Sequence, residues 1–206
     1  MSSSLSVYLL DVAATRSLVG SRDEQLLEVI RNNFGDDLAR DDEYFSDAIE
    51  SGAPTAYEAL QAVVHGGPFS EDQEVAFQYG YAYERLCDLT GSFLDNSSFT
   101  PHRGDWLSTV DQGLRALGIT AVSVESFSYS DLPNPLPYAY TPGCGEWTPG
   151  QITSALAQFE SAKQAIDASG QAPPLEPEVV EAVTQCLGWM RHAAAKPGFG
   201  VIGFRS

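Results

Sequence analysis

The sequence predicts an α+β fold: a single compact domain over residues 1–206, mostly helical, with a small sheet that includes strands near both ends. Three observations carry this reading. Apolar residues recur three and four apart through most of the chain, the spacing that puts them on one side of a helix. Period-two alternation is confined to short stretches, the first at 4–10 and the last at 199–204. Apolar residues make up 43% of the 206, with ten Phe, nine Tyr and three Trp, enough for a sizeable core and far from a disordered composition.

Taken in order, Ser4 to Leu10 carries Val7 and Tyr8 and reads as a half-buried strand. Asp11 offers a cap for a short helical turn that Gly20 ends, and Ser21-Arg22-Asp23-Glu24 reads as a capping box. The helix that follows aligns Leu26, Leu27, Ile30 and Phe34, with Asn33 and Gly35 as its stop. The segment from Asp36 to Glu50 is the most acidic. Its carboxylates do not fit the spacing of a calcium loop, and Tyr44, Phe45, Ala48 and Ile49 make it an amphipathic helix instead.

The stretch from Thr55 to Asn96 is the central packing unit. Thr55 caps a helix through Val64, His65-Gly66-Gly67-Pro68 breaks it, and Ser70 is expected to cap a second helix running to Leu89 before Gly91. In projection the apolar arc of that second helix fills about half the circumference. On the other side, among Glu74, Gln78, Glu84, Arg85 and Asp88, stand Phe77 and Tyr81. Such a side is either covered by another segment or forms a pocket wall.

Ser92 to Gly104 reads as a polar loop, and Asp105 as the cap of a helix striped by Trp106, Val110, Leu114 and Leu117. Ile119 to Tyr129 alternates through Val122, Val124 and Phe127 and reads as a strand. Asp131 to Gly145 holds four prolines and two glycines, which argues for a loop, and this Pro-rich loop at 131–147 is expected to lie across the domain through Leu136, Tyr138 and Tyr140. Thr148-Pro149-Gly150-Gln151 is a strong helix start, Pro177 opens a last helix, and Phe199 to Phe204 is a closing strand. The three tryptophans read as core.

The formal net charge of −17, with only eleven Lys and Arg, excludes binding to nucleic-acid phosphates and to anionic membrane surfaces. No apolar run reaches the roughly 20 residues of a membrane helix, and MSSSLSVYLL lacks the basic start of a signal peptide. Three widely spaced cysteines form neither a disulfide framework nor a metal site, so a reducing cytoplasmic setting is expected. No phosphate-cradling glycine motif, zinc-binding His pair or nucleophile elbow occurs, so no cofactor, no metal and no catalytic residue is assigned.

Weaker constellations remain. Cys87 with His65 has the residue types of a thiol nucleophile and base, but Cys87 falls on the buried arc, where cysteine is a small core residue. Glu84 and Asp88 stand one turn apart beside Phe77 and Tyr81, able to share a proton or face a cation. His102 and Arg103 precede a helix start, where an anion is favoured. The candidate pocket therefore comprises Phe77, Tyr81, Glu84 and Asp88 with His65, His102, Tyr138 and Tyr140.

Three stretches, YGYAYERLCDLTGSFLDN at 79–96, EWTPGQITSALAQF at 146–159 and GFGVIGF at 198–204, together with the Pro-rich segment, resemble an uncharacterised domain family of filamentous soil bacteria. The order of parts is also similar to the YfbM-like proteins, from which this chain departs at Gly150 and Gln151, where acids are usual, and in its acidic N-terminal segment. The resemblance implies one α+β domain and brings no activity. The expected function is binding of a protein partner or small ligand by a monomer or weak homodimer, in one version immunity- or antitoxin-like neutralisation of a basic toxin. The alternative is a small metal-independent hydrolase or transferase with a carboxylate/histidine site.

Overall fold

A computed structural model of the chain describes residues 2–129 and 131–206. Its strands are β1 (Ser2–Ser3), β2 (Leu5–Asp11), β3 (Ser92–Phe93), β4 (His102–Arg103), β5 (Gly143–Trp147) and β6 (Phe199–Arg205). Its helices are α1 (Val12–Arg16), α2 (Glu24–Asn33), α3 (Gly35–Tyr44), α4 (Ser46–Glu50), α5 (Ala56–His65), α6 (Phe77–Thr90), α7 (Trp106–Ala116), α8 (Pro149–Ser169) and α9 (Pro177–Ala194), with a 3-10 turn at Glu125–Ser128. The fold is α+β, as the patterning predicts.

The sheet has the order β3-β2-β6-β5 and is antiparallel throughout. Its central pair joins the two ends of the chain, running from Leu5 opposite Arg205 to Asp11 opposite Phe199. A separate two-stranded ribbon pairs β1 with β4.

Alternation along β2 and β6 feeds two cores. Leu5, Val7, Leu9 and Val201 pack with α7, α8 and α9. Tyr8, Leu10, Ile202 and Phe204 pack with α2, α3, α5 and α6. The first strand is thus buried on both faces rather than half buried, because helices cover both sides of the sheet. Burying each large side chain in these cores contributes about 1.5–3 kcal/mol, so the sandwich rather than any one hydrogen bond holds the fold.

Local chemistry fixes the elements. Thr55 with Glu58 and Thr148 with Gln151 form complete capping boxes at α5 and α8. The cap of α2 is Asp23, which accepts from the Leu26 amide at 2.9 Å, and not Ser21. Gly35 opens α3 rather than stopping α2, and Phe45 divides the acidic segment into α3 and α4. Ser70 caps no helix: residues 73–76 form a turn, Tyr79 Oη accepts from the Ser70 amide at 3.0 Å, and α6 begins at Phe77. Asp105 stands at the N-cap of α7 but its side chain makes no capping bond.

The largest departure is at 119–129, which is not a strand. Asp111, 1% exposed, accepts from the Val124 amide at 2.7 Å and from the Ser123 hydroxyl, turning the chain into the 3-10 turn. That turn presses on the sheet. A Cβ added to Gly203 would lie 2.5 Å from the Phe127 ring, and one added to Gly145 would lie 2.3 Å from the Ser126 carbonyl. Hence Gly143, Gly145, Gly200 and Gly203 belong to strands, and the end of the Pro-rich segment forms β5 instead of loop. The rest of that segment lies across α6, where Gly80 makes room for Pro142 and Leu136 is buried. Trp147 and Trp189 are core, and Trp106 packs at its margin. Their indole N–H groups donate to the carbonyls of Ser123, Asp95 and Ser98 respectively, pinning the intervening loops.

Candidate functional site

Helix α6 presents Gln78, Tyr81, Arg85 and Asp88 at spacings of three and four, with Glu84 beside them, so one stripe carries all five. Helix α3 brings Leu38 and Asp41 by the same spacing, and Phe45 follows at its end. Two contacts lock these helices around a space. Arg85 Nη2 donates to Asp41 Oδ2 at 2.5 Å, joining α6 to α3. Asp42 Oδ1 accepts from the Ala56 amide at 2.7 Å, joining α3 to the start of α5. The result is a cavity of about 390 Å³ lined further by Tyr8 of β2, Leu60 of α5, Tyr44 and Ser206. That volume lies in the range of small-molecule sites, roughly 300–1,000 Å³.

The lining is aromatic and acidic. The Phe45 and Tyr81 ring centroids are 5.2 Å apart with planes at 40°, and Phe45 also meets Phe77 at 5.1 Å and Tyr44 at 4.8 Å. Tyr44 is 82% exposed and forms the rim. Tyr8 Oη lies 3.5 Å from Glu84 Oε1, at the outer limit of a hydrogen bond. Burial, opposed by hydrogen bonds from Ser6 and Tyr8, pushes the Glu84 carboxyl up to about 7. Burial and then the charge of Glu84 push the Tyr81 hydroxyl up to about 12 and raise Tyr8 as well. Burial works against the Arg85 charge, yet the hydrogen bond and charge of Asp41 raise its pKa on balance. Gln78 is only 3% exposed, and among the described residues its Nε2 has no hydrogen-bond partner.

Of the residues singled out in the sequence, the structure brings Tyr81, Glu84 and Asp88 together in this cavity, with Phe77 behind them against Phe45. Four lie elsewhere. His65 pairs with Glu24 at 2.8 Å, tying α5 to α2. His102 is buried with Nδ1 2.7 Å from the Phe99 carbonyl, and burial lowers its pKa. Tyr138 and Tyr140 are exposed on the Pro-rich segment. Cys87 is buried and its thiol is raised well above the ordinary range by that burial, so it is no nucleophile paired with His65. Sequence reasoning did not single out Tyr8, Asp41, Tyr44, Phe45, Gln78 and Arg85 as site residues. The stripe of α6 contained a signal for Gln78 and Arg85; nothing local signals the others.

A second, more open depression of about 490 Å³ lies between α9 and the 94–98 segment, lined by Trp189, Gln185 and His192 among others. Among the described residues no three His, Cys, Asp or Glu side chains converge as metal ligands. Nor is any helix among them long and apolar enough to cross a membrane.

Fold and cavity together define an α+β domain with a helix-walled, aromatic and acidic pocket on one face of a four-stranded antiparallel sheet. The chain belongs to the family described as a domain of unknown function, DUF7691, whose model matches residues 1–206. No curated protein and no solved structure matches it.

Proposed function

We propose that this protein acts by binding a small ligand in the cavity between α3, α5 and α6. Gln78 is the observation that carries the reading. A buried donor without a partner costs about 1–3 kcal/mol, and a ligand acceptor at that point offsets it. The ion pair between Arg85 and Asp41 and the capped start of α5 hold the walls in place before any ligand arrives, which lowers the entropic cost of binding. The three free, buried cysteines suit a reducing, cytoplasmic compartment, and a bacterial origin and YfbM-like layout are part of this proposal on the sequence resemblance alone.

The test is an amide-resolved NMR screen with neutral, anionic and cationic fragments. Shift changes clustered on α3, α5 and α6 are expected. Hits confined to the α9 depression, or none at all, reject the reading. The immunity- or antitoxin-like version draws on the net charge of −17 and predicts a basic protein partner retained on the chain at low salt and lost at high salt.

A second reading is favoured by the placement of Glu84, a carboxyl lining the cavity beside Asp88 with Tyr8 Oη 3.5 Å away; burial pushes it up toward the neutral range, which suits a general acid or base. In that metal-independent hydrolase or transferase, Glu84 acts beside Asp88, without the histidines. Turnover of model esters, amides or glycosides that Glu84→Gln abolishes supports it; no turnover by the wild-type protein across that panel rejects it.

A further inference from the structure

We infer that the ligand of this cavity is a small organic ammonium ion carrying a hydrogen-bond acceptor, its charged end between Glu84, Asp88 and the Phe45–Tyr81 rings and its acceptor toward Gln78. This rests on the small-ligand reading above and names its chemistry.

The charges select the sign. The lining holds three carboxylates, Asp41, Glu84 and Asp88, and one cation, Arg85. Arg85 is engaged by Asp41 at 2.5 Å, and among the described residues no ion pair involves Glu84 or Asp88. Arg85 still acts on both at longer range, but with three carboxylates to one guanidinium the lining repels an anion and draws a cation.

The rings select an organic cation. Phe45 and Tyr81 stand at 40° to one another and Tyr44 stands at 87° to Phe45, so aromatic surfaces of different orientation meet at the acidic wall. Such surfaces attract a weakly hydrated ammonium group through the negative faces of the rings. A hard metal ion instead needs about six oxygen ligands, and among the described residues no three acidic, His or Cys side chains converge closely enough to hold one, the three carboxylates of this lining included.

Gln78 selects the rest of the molecule. Its Nε2 is a donor, so it cannot be satisfied by the cation and calls for a hydroxyl, ether or carbonyl oxygen on the same ligand. A lysine side chain of a protein partner has no such oxygen along its stem, which favours a free small molecule of the amino-alcohol type.

The cavity also sets a pH dependence. Glu84 faces Ser6 and Tyr8 of β2, Tyr81, Arg85, Cys87 and Asp88 of α6, and Cys144 of β5, with Asp41 and Tyr44 of α3 across the space. Burial holds its carboxyl near 7, and a bound cation favours the ionised form. Affinity therefore rises as the pH passes upward through about 7, and binding below that value releases a proton.

The experiment is isothermal titration and NMR with choline and ethanolamine, the neutral choline isostere 3,3-dimethylbutan-1-ol, tetramethylammonium and acetate. Expected results are binding of at least one hydroxylated ammonium probe and affinity for the neutral isostere or acetate at least about ten-fold weaker. Glu84→Gln, or Asp88→Asn if the first variant melts early, weakens the cation selectively. Gln78→Leu weakens choline more than tetramethylammonium. Equal affinity for choline and its isostere, or no effect of either carboxylate variant, overturns the assignment. If neutral or anionic fragments shift α3 and α6 amides while both hydroxylated ammonium probes leave them unmoved, the small-ligand reading stands and the ammonium assignment falls. If nothing shifts them, both fall.

Discussion

Replacing Glu84 by Gln removes a charge while keeping the shape of the side chain, and its effect on stability follows from the cavity. Burial raises the Glu84 carboxyl from 4.5 to about 7 in the folded chain. Below pH 4.5 the group is protonated in both folded and unfolded states and contributes nothing to the balance. Between 4.5 and about 7 the unfolded chain releases the proton first, so stability falls as pH rises. Above about 7 the whole penalty of holding a buried carboxylate is present. At 1.36 kcal/mol per pH unit, that interval caps the penalty at about 3 kcal/mol. Partial contact with solvent screens it, so about 1–3 kcal/mol is the expected gain for Glu84→Gln at alkaline pH. Urea unfolding of both proteins from about pH 4 to about pH 8.5 is the assay. The two should unfold alike at the acid end and separate steadily as the pH rises, the variant becoming the more stable. A gap that does not change with pH, or one that widens toward acid, refutes the description of Glu84 as a desolvated carboxyl.

Three further predictions concern the frame around the cavity. Gly203→Ala drives a Cβ to within 2.5 Å of the Phe127 ring and should cost about 1–3 kcal/mol in urea unfolding, with no comparable loss at Gly150, where nothing lies within 4 Å. Asp111→Ala strands the buried Val124 amide and the Ser123 hydroxyl and should cost about 2–3 kcal/mol, and near-native stability would show that the 3-10 turn does not depend on it. Cys87, Cys144 and Cys186 are buried thiols raised by that burial, so native protein should react with a thiol reagent only as fast as it opens, and denaturant should release all three.

Where local chemistry decides structure, the sequence was readable. Thr55 and Thr148 announce their helices because a cap and its partner lie three residues apart. The strands at both ends show their alternation openly. The larger errors share one cause, contact between distant segments, while the smaller ones shift a helix end by a few residues. Val122, Val124 and Phe127 alternate as a strand does, but Asp111 diverts the backbone and Phe127 drops onto Gly203. β5 hides behind glycines whose missing side chains admit the Ser126–Phe127 backbone, information that resides in another part of the chain. Half the cavity was legible for the same reason. Tyr81, Glu84 and Asp88 share the polar stripe of one helix, whereas Asp41, Phe45 and Tyr8 arrive from elements whose pairing with α6 is tertiary. His65 and His102 looked chemical by type, and each is occupied, His65 across helices by Glu24 and His102 locally by the Phe99 carbonyl.

The pairing of β2 with β6 makes these two strands a common partition between the two cores. Ser4 and Ser206 exchange both backbone hydrogen bonds, at 2.9 and 3.1 Å, so the loop that this contact closes is nearly the entire chain. Closing it carries the largest chain-entropy cost of any pairing in the sheet, and neither helical layer has its complete apolar floor until it is made. Helix pairs such as α5 with α6 can meet early, but the cavity they border lacks Tyr8 and Ser206 until the ends join. The cavity is therefore among the last parts of the molecule to form, and its presence reports that both helical layers have closed on the sheet.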